Sequence, residues 1–230
     1  MMKSAFWHIN CPPLERKLAR WDDDKIHFEI VKCPVDEGHN YWGKRLTDLH
    51  IILPDCEMDD FIWTWGPDCV VQERTLDLLR SEGVTGFEVK PVRARFKKST
   101  QPPPRLWELI VTGWGGMARP ESGIRPDESN RDSCSACGRL MYTGLKKPEE
   151  LIDEEQWDGS DFFVVWPMRA FRMVTDRVAQ FVRACHLTGF TLTPVSQLRP
   201  IDEFGTTPLR HDWFMPDARA RQLGEPLGIY

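Results

Sequence analysis

Two cysteines three residues apart, in Cys134-Ser135-Ala136-Cys137 with Gly138 immediately after, have the clearest chemical character of any residues in this chain. A thiolate pair at this spacing sits in a tight turn whose backbone amides face the sulfurs, and a glycine after the second sulfur lets the turn close, so the pattern suits half of a zinc site. A structural zinc needs four ligands, and no second Cys-x-x-Cys exists in the sequence. The best remaining candidates are Cys33 and His39, in Cys33-Pro34-Val35-Asp36-Glu37-Gly38-His39, where Asp36 stands in the place of a second cysteine. The alternative is a reduced pair of thiols in a turn. The cofactor expectation is therefore one structural zinc on Cys134, Cys137, Cys33 and His39, or none. A redox dithiol fits less well, because Cys134 follows a polar loop instead of opening a helix after a strand.

Signatures of other chemistry are weak. The sequence has no GxGxxG, P-loop, HExxH or GxSxG, and Gly113-Trp114-Gly115-Gly116 reads as a turn. None of the six histidines (8, 27, 39, 50, 186 and 211) stands in a recognisable pattern with a Cys or Ser nucleophile. A cysteine hydrolase built on Cys69 or Cys185 is a minor alternative, since both cysteines read as packing residues on or beside apolar helix faces. A binding protein, not an enzyme, is the expectation.

What could bind? Basic residues around an aromatic, Arg93, Arg95, Lys97, Lys98 and Arg105 about Phe96, could hold single-stranded nucleic acid by charge and stacking. A zinc-knuckle nucleic-acid-binding or regulatory protein is thus the rival reading. The net charge of −5 and pI near 5.7 weigh against it, and positive charge on an exposed strand also protects an edge from pairing. The acidic run Glu149, Glu150, Asp153, Glu154, Glu155, Asp158, Asp161 reads as a solvated helical face. Of ten tryptophans, Trp114 in its glycine loop, Trp157 in the acidic run and Trp213 in the polar tail have the poorest core context. Together with Glu149, Glu150, Glu154 and Glu155 they are the candidate partner contacts.

The elements that position these residues read as α+β. Residues 26–30, 49–53, 61–65, 86–92 and 106–112 have strand character, the last two separated by a basic, proline-rich connector from Arg93 to Arg105. Val71, Leu76, Leu78 and Leu79 outline an amphipathic helix stopped by Gly83. Val71 to Val92 matches Val174 to Val195 without a gap and with eight identities, including Thr85-Gly86-Phe87 against Thr188-Gly189-Phe190. Upstream, Asp60-Phe61 answers Asp161-Phe162. The expectation is an internally duplicated strand-helix-strand unit (60–92 and 161–195) around a mixed or antiparallel sheet, with Phe87 and Phe190 both buried. The halves would be 1–112 and 134–230 with a loop seam at 113–133, forming one compact two-lobed unit. At 230 residues and 41% hydrophobic content the chain can bury a core without disulfides. Seven irregularly spaced cysteines imply reduced thiols. The lack of a signal-like or membrane-spanning apolar run implies a cytoplasmic protein with no membrane partner.

These residues resemble a known family. Trp65-Gly66-Pro67-Asp68-Cys69-Val70-Val71, the stretch from Leu78 to Phe87, Leu106-Trp107-Glu108-Leu109, Cys134 to Arg139, and the second repeat at 161–195 are similar to the double-CxxCG proteins, bacterial immunity proteins of polymorphic toxin systems. The resemblance spans Asp60 to Val195, with a weaker echo around Cys33. It implies a paired metal site, of which the first motif is degenerate here, no catalytic residues, and tight binding to a cognate protein toxin. The identity of the toxin, the binding face, the oligomeric state and the strand order are not implied.

Overall fold

Alternation of apolar and polar residues dominates the chain, and in the computed structural model it produces mostly strands. Residues 6–13, 18–204 and 213–229 are described; His211 and the start of the polar tail lie outside them. The N-terminal part contains β1 (Phe6–Asn10), β2 (Arg20–Trp21), β3 (Phe28–Val31), β4 (Tyr41–Arg45), β5 (Leu49–Leu53), β6 (Phe61–Trp63) and β7 (Cys69–Gln72). Helix α1 (Glu73–Ser81) leads into the long β8 (Phe87–Phe96), β9 (Leu106–Val111) and β10 (Gly113–Met117). There follow β11 (Pro126–Asp127), β12 (Met141–Thr143), β13 (Phe162–Trp166), β14 (Arg172–Thr175), α2 (Asp176–Ala184), β15 (Thr191–Pro194), β16 (Glu203–Phe204) and α3 (Asp217–Gly224). The fold is α+β with mixed sheets. Six strands run in the order β2-β5-β8-β9-β7-β6 and five in the order β10-β13-β14-β1-β15. β5–β8 and β10–β13 pair parallel and the other pairs of these two sheets antiparallel.

The order hairpin, helix, strand occurs at 61–96 and again at 162–194. Both helices are amphipathic, burying Leu76 and Leu79 in α1 and Val178 and Val182 in α2 against one shared core that includes Phe61 and Phe162. Gly83 ends α1 at φ +69, and His186 takes the same left-handed position after α2 at φ +52.

The shared Thr-Gly does more than turn the chain locally. The Asp161 carboxylate accepts from the backbone N–H and hydroxyl of Thr85 (3.0 and 3.1 Å), and the Asp60 carboxylate accepts from those of Thr188 (2.9 and 3.2 Å). Each turn thus docks on the strand that opens the other segment. Gly86 (φ +82) and Gly189 (φ +87) are required for that approach, because a Cβ would lie 2.0 Å from the Phe162 carbonyl oxygen and 2.1 Å from that of Phe61.

Several expectations are corrected. Residues 113–117 are not part of a loop seam: they form β10, and its small residues allow close packing on β13, with Gly115 against Phe163. Val71 lies in β7 and not in the helix, and β8 runs on through Arg93 to Phe96 because it pairs along its length with β5 and β9. The first strand expected at 26–30 is shifted to Phe28–Val31, and Trp65 falls outside β6. Phe87 and Phe190 are half-buried, meeting Phe162 and Phe61 edge to face. The acidic run forms a short 3-10 turn (Pro148–Glu150) and loops instead of a helical face.

Candidate metal centre

Among the described residues the hairpin β3–β4 pairs with no other sheet, and a two-stranded ribbon alone is marginal in water. Its connection is therefore where a covalent or metal clip has most effect. In that connection Asp36 caps a 3-10 turn (Glu37–His39): its Oδ1 accepts from Gly38 N at 2.8 Å, and His39 N donates to the Asp36 carbonyl at 3.0 Å. Asn40 Oδ1 accepts from Cys33 N at 2.8 Å. The turn fixes Cys33, which is buried, and the imidazole of His39 on one side.

The second half of the centre comes from 101 residues further along the chain. Cys134 N donates to Arg139 O at 2.7 Å, closing the Cys134–Arg139 turn in which Gly138 adopts φ +75. This presents both sulfurs to Cys33 and His39. Cys33 Sγ lies 3.9 Å from Cys134 Sγ and 4.0 Å from His39 Nδ1, and all four ligand atoms lie within 4.8 Å of one another. A tetrahedral zinc with sulfurs at about 2.3 Å separates its ligand atoms by roughly 3.8 Å, so the donor set fits with small adjustments.

The electrostatics fit as well. Backbone N–H groups of Cys137 and Ala136 and the His39 ring bond to the Cys134 sulfur and bring its pKa down to about 6, poising it as a thiolate. Burial pushes the neighbouring Cys137 thiol up, against a bond from the Arg139 backbone. His39 turns Nδ1 to the sulfurs and Nε2 toward Asp36 Oδ2 at 3.6 Å. Asp36 thereby faces the ring of the residue that could supply the fourth donor. The four candidate ligands were legible in the sequence; the contact between Asp36 and the His39 ring was not.

The other candidate residues do not converge on this centre. Trp114 is buried in β10, with its backbone N–H donating to Asp158 Oδ2 at 3.0 Å. Trp157 is half-buried, stacks edge-on against Phe6 and bonds through its Nε1 to Ser160 O at 3.0 Å, so it is anchored inward. Trp213 is half-buried and lines a cleft. Glu149 and Glu155 are exposed, Glu154 is partly so, and Glu150 pairs with Arg119 at 3.2 Å. Of the basic stretch, Arg95 pairs with Asp22 at 2.9 Å, and Phe96 is buried and cannot stack on a base. Cys69 is buried in β7, where desolvation pushes its pKa to about 12 and keeps it a thiol at neutral pH. Among the described residues no helix is long and apolar enough to cross a membrane. No protein-family model and no curated protein matches the sequence.

Proposed function

We propose that this chain is a non-enzymatic binding protein in which one structural zinc, held by Cys33, His39, Cys134 and Cys137, locks the β3–β4 hairpin as a recognition element, and that it neutralises a cognate protein toxin by occluding it. The observation that carries the binding reading is what the hairpin displays. Ile30 and Trp42 are direct cross-strand partners in β3–β4 and are 65% and 67% exposed, and Val35 beside the metal ligands is 71% exposed. Large apolar groups on a rigid support lose little conformational entropy on binding, which is the chemistry of an interface centre. A closed four-ligand set leaves no coordination position for a substrate, so the metal would supply shape and stability. The toxin as partner rests on the resemblance to the double-CxxCG immunity proteins.

The acidic residues Glu149, Glu150, Glu154 and Glu155 would add steering toward a basic cleft, raising the association rate and making it fall with salt. The test is growth of cells expressing the effector encoded next to this gene, with and without this chain. Well-expressed wild-type protein should protect. Trp42→Ala with Ile30→Ser should lose protection, and reversal of the four glutamates should slow association without abolishing it. Full toxicity in the presence of folded wild-type protein would remove the immunity reading.

A further inference from the structure

A cleft of about 330 Å³ lies among β4, β8, β9, the loop between β13 and β14, and the segment leading into α3. Five cations (Lys44, Arg45, Lys90, Arg169, Arg172) and three carboxylates (Asp68, Glu108, Asp217) line it. The carboxylates are already engaged. Arg45 binds Asp68 at 3.0 Å and also Glu108, Trp21 and Thr64 donate to Asp68 at 2.7 and 2.8 Å, and Lys44 holds Asp217. Arg172 donates to the Pro67 carbonyl.

Arg169 differs from all of these. Among the described residues its buried Nε has no hydrogen-bond partner and no carboxylate pairs with it, and its guanidinium lies 3.9 Å over the Phe214 ring. Desolvation pulls its pKa down to about 9, and no charged group offsets that pull. Trp213 Nε1 is a second buried donor with no partner among the described residues, and Trp213 lines the same cleft. Buried donors are ordinarily satisfied, and a desolvated cation without a counter-ion is costly. Both groups can only donate. A group that completes the site would therefore accept hydrogen bonds, and a negative charge on it would offset the desolvation of Arg169.

We propose that this cleft binds a small ligand through a carboxylate or phosphate oxyanion, held by Arg169 and Trp213 with Lys90 and Arg172 at its rim. Phe28, Trp42, Trp213 and Phe214 give the lining a flat apolar character, so the preferred ligand carries the oxyanion on an aromatic body. Arg169 and Trp213 lie outside the metal ligands and the proposed partner contacts on the hairpin, although Phe28 and Trp42 of the lining belong to β3–β4.

The test uses the full chain with its metal and follows indole N–H resonances, with that of Trp213 assigned by its loss in Trp213→Phe. Inorganic phosphate, acetate, benzoate and phenyl phosphate are titrated at constant ionic strength against a sodium chloride control. The Trp213 signal should shift saturably with benzoate or phenyl phosphate, at least tenfold below the concentrations needed for acetate or inorganic phosphate. Arg169→Met should abolish the shift, and Arg169→Lys should weaken it. If Arg169→Met fails to fold, the lysine variant and Trp213→Phe decide by loss of affinity measured calorimetrically. A Trp213 signal that moves no further with any of the four anions than with chloride would overturn the proposal. So would an Arg169→Lys variant that binds as tightly as the wild type.

Discussion

Replacing Asp161 by Asn tests how the two hairpin-helix-strand segments are held together. The carboxylate is nearly inaccessible and accepts from Thr85 N, Thr85 Oγ1 and Thr175 Oγ1 at 2.9 to 3.1 Å, and from Arg177 Nε at 3.2 Å and Nη2. Oδ1 serves Thr175 Oγ1 and Arg177 Nε and Oδ2 serves Thr85 and Arg177 Nη2, so the asparagine NH2 meets donors of a threonine and of the guanidinium whichever oxygen it replaces. Two charge-assisted bonds are lost, each worth about 1.5–3 kcal/mol when sheltered. Arg177 is 45% exposed, so we take the lower end, a total of about 2–3 kcal/mol. For a chain of this size that lowers Tm by roughly 5–10 °C. Burial raises the Asp161 pKa, but Arg177 and the Thr85 and Thr175 donors outweigh it and hold the carboxyl below its ordinary range. A depressed carboxylate contributes stability that is present above the unfolded-state value of about 3.9 and is lost as pH falls through the folded value. The gap between wild type and Asp161→Asn should therefore be full at pH 7 and shrink below about pH 4. Thermal unfolding followed by circular dichroism at several pH values measures it. A Tm change under about 1 °C at pH 7, or a gap that widens on acidification, would refute the reasoning.

Further outcomes follow from the same geometry. Asp60→Asn should cost less than Asp161→Asn in the same assay, because the guanidinium facing Asp60, that of Arg74, is 3.9 Å away and largely exposed. Gly86→Ala and Gly189→Ala should each destabilise by about 2–4 kcal/mol in denaturant titrations, combining a left-handed backbone with a blocked approach. Gly83→Ala, left-handed but with nothing within 4 Å of the added carbon, should cost only about 1 kcal/mol. Asp36→Ala should weaken zinc binding about 10- to 100-fold in a competition titration, since it frees the His39 ring.

Elements with a strict local pattern were readable in the sequence. β5 runs from Leu49 to Leu53, the apolar run that Pro54 ends, and α1 shows its apolar stripe and glycine stop. The residues that could hold a metal were readable too, because a Cys-x-x-Cys-Gly turn leaves a chemical trace even when its partners are about a hundred residues away. What could not be read depends on tertiary contact. Gly113-Trp114-Gly115-Gly116 has turn composition but becomes a buried strand, because small residues let β10 lie close against Phe163 and Val165. Thr85 and Thr188 look like local turn residues, yet they bind Asp161 and Asp60. Arg169 gave no signal at all: one arginine between Met168 and Ala170 is unremarkable until its neighbours are known.

The most direct test of the central claim is zinc K-edge X-ray absorption, with metal quantified on the same sample, on protein purified without chelators. A structural zinc on these four residues predicts about one zinc per chain, with three sulfurs at about 2.3 Å and one nitrogen at about 2.0 Å. It also predicts loss of one sulfur in Cys33→Ala and loss of the nitrogen in His39→Ala. Protein that is metal-free and takes up no added zinc, or a zinc shell without sulfur, would contradict it.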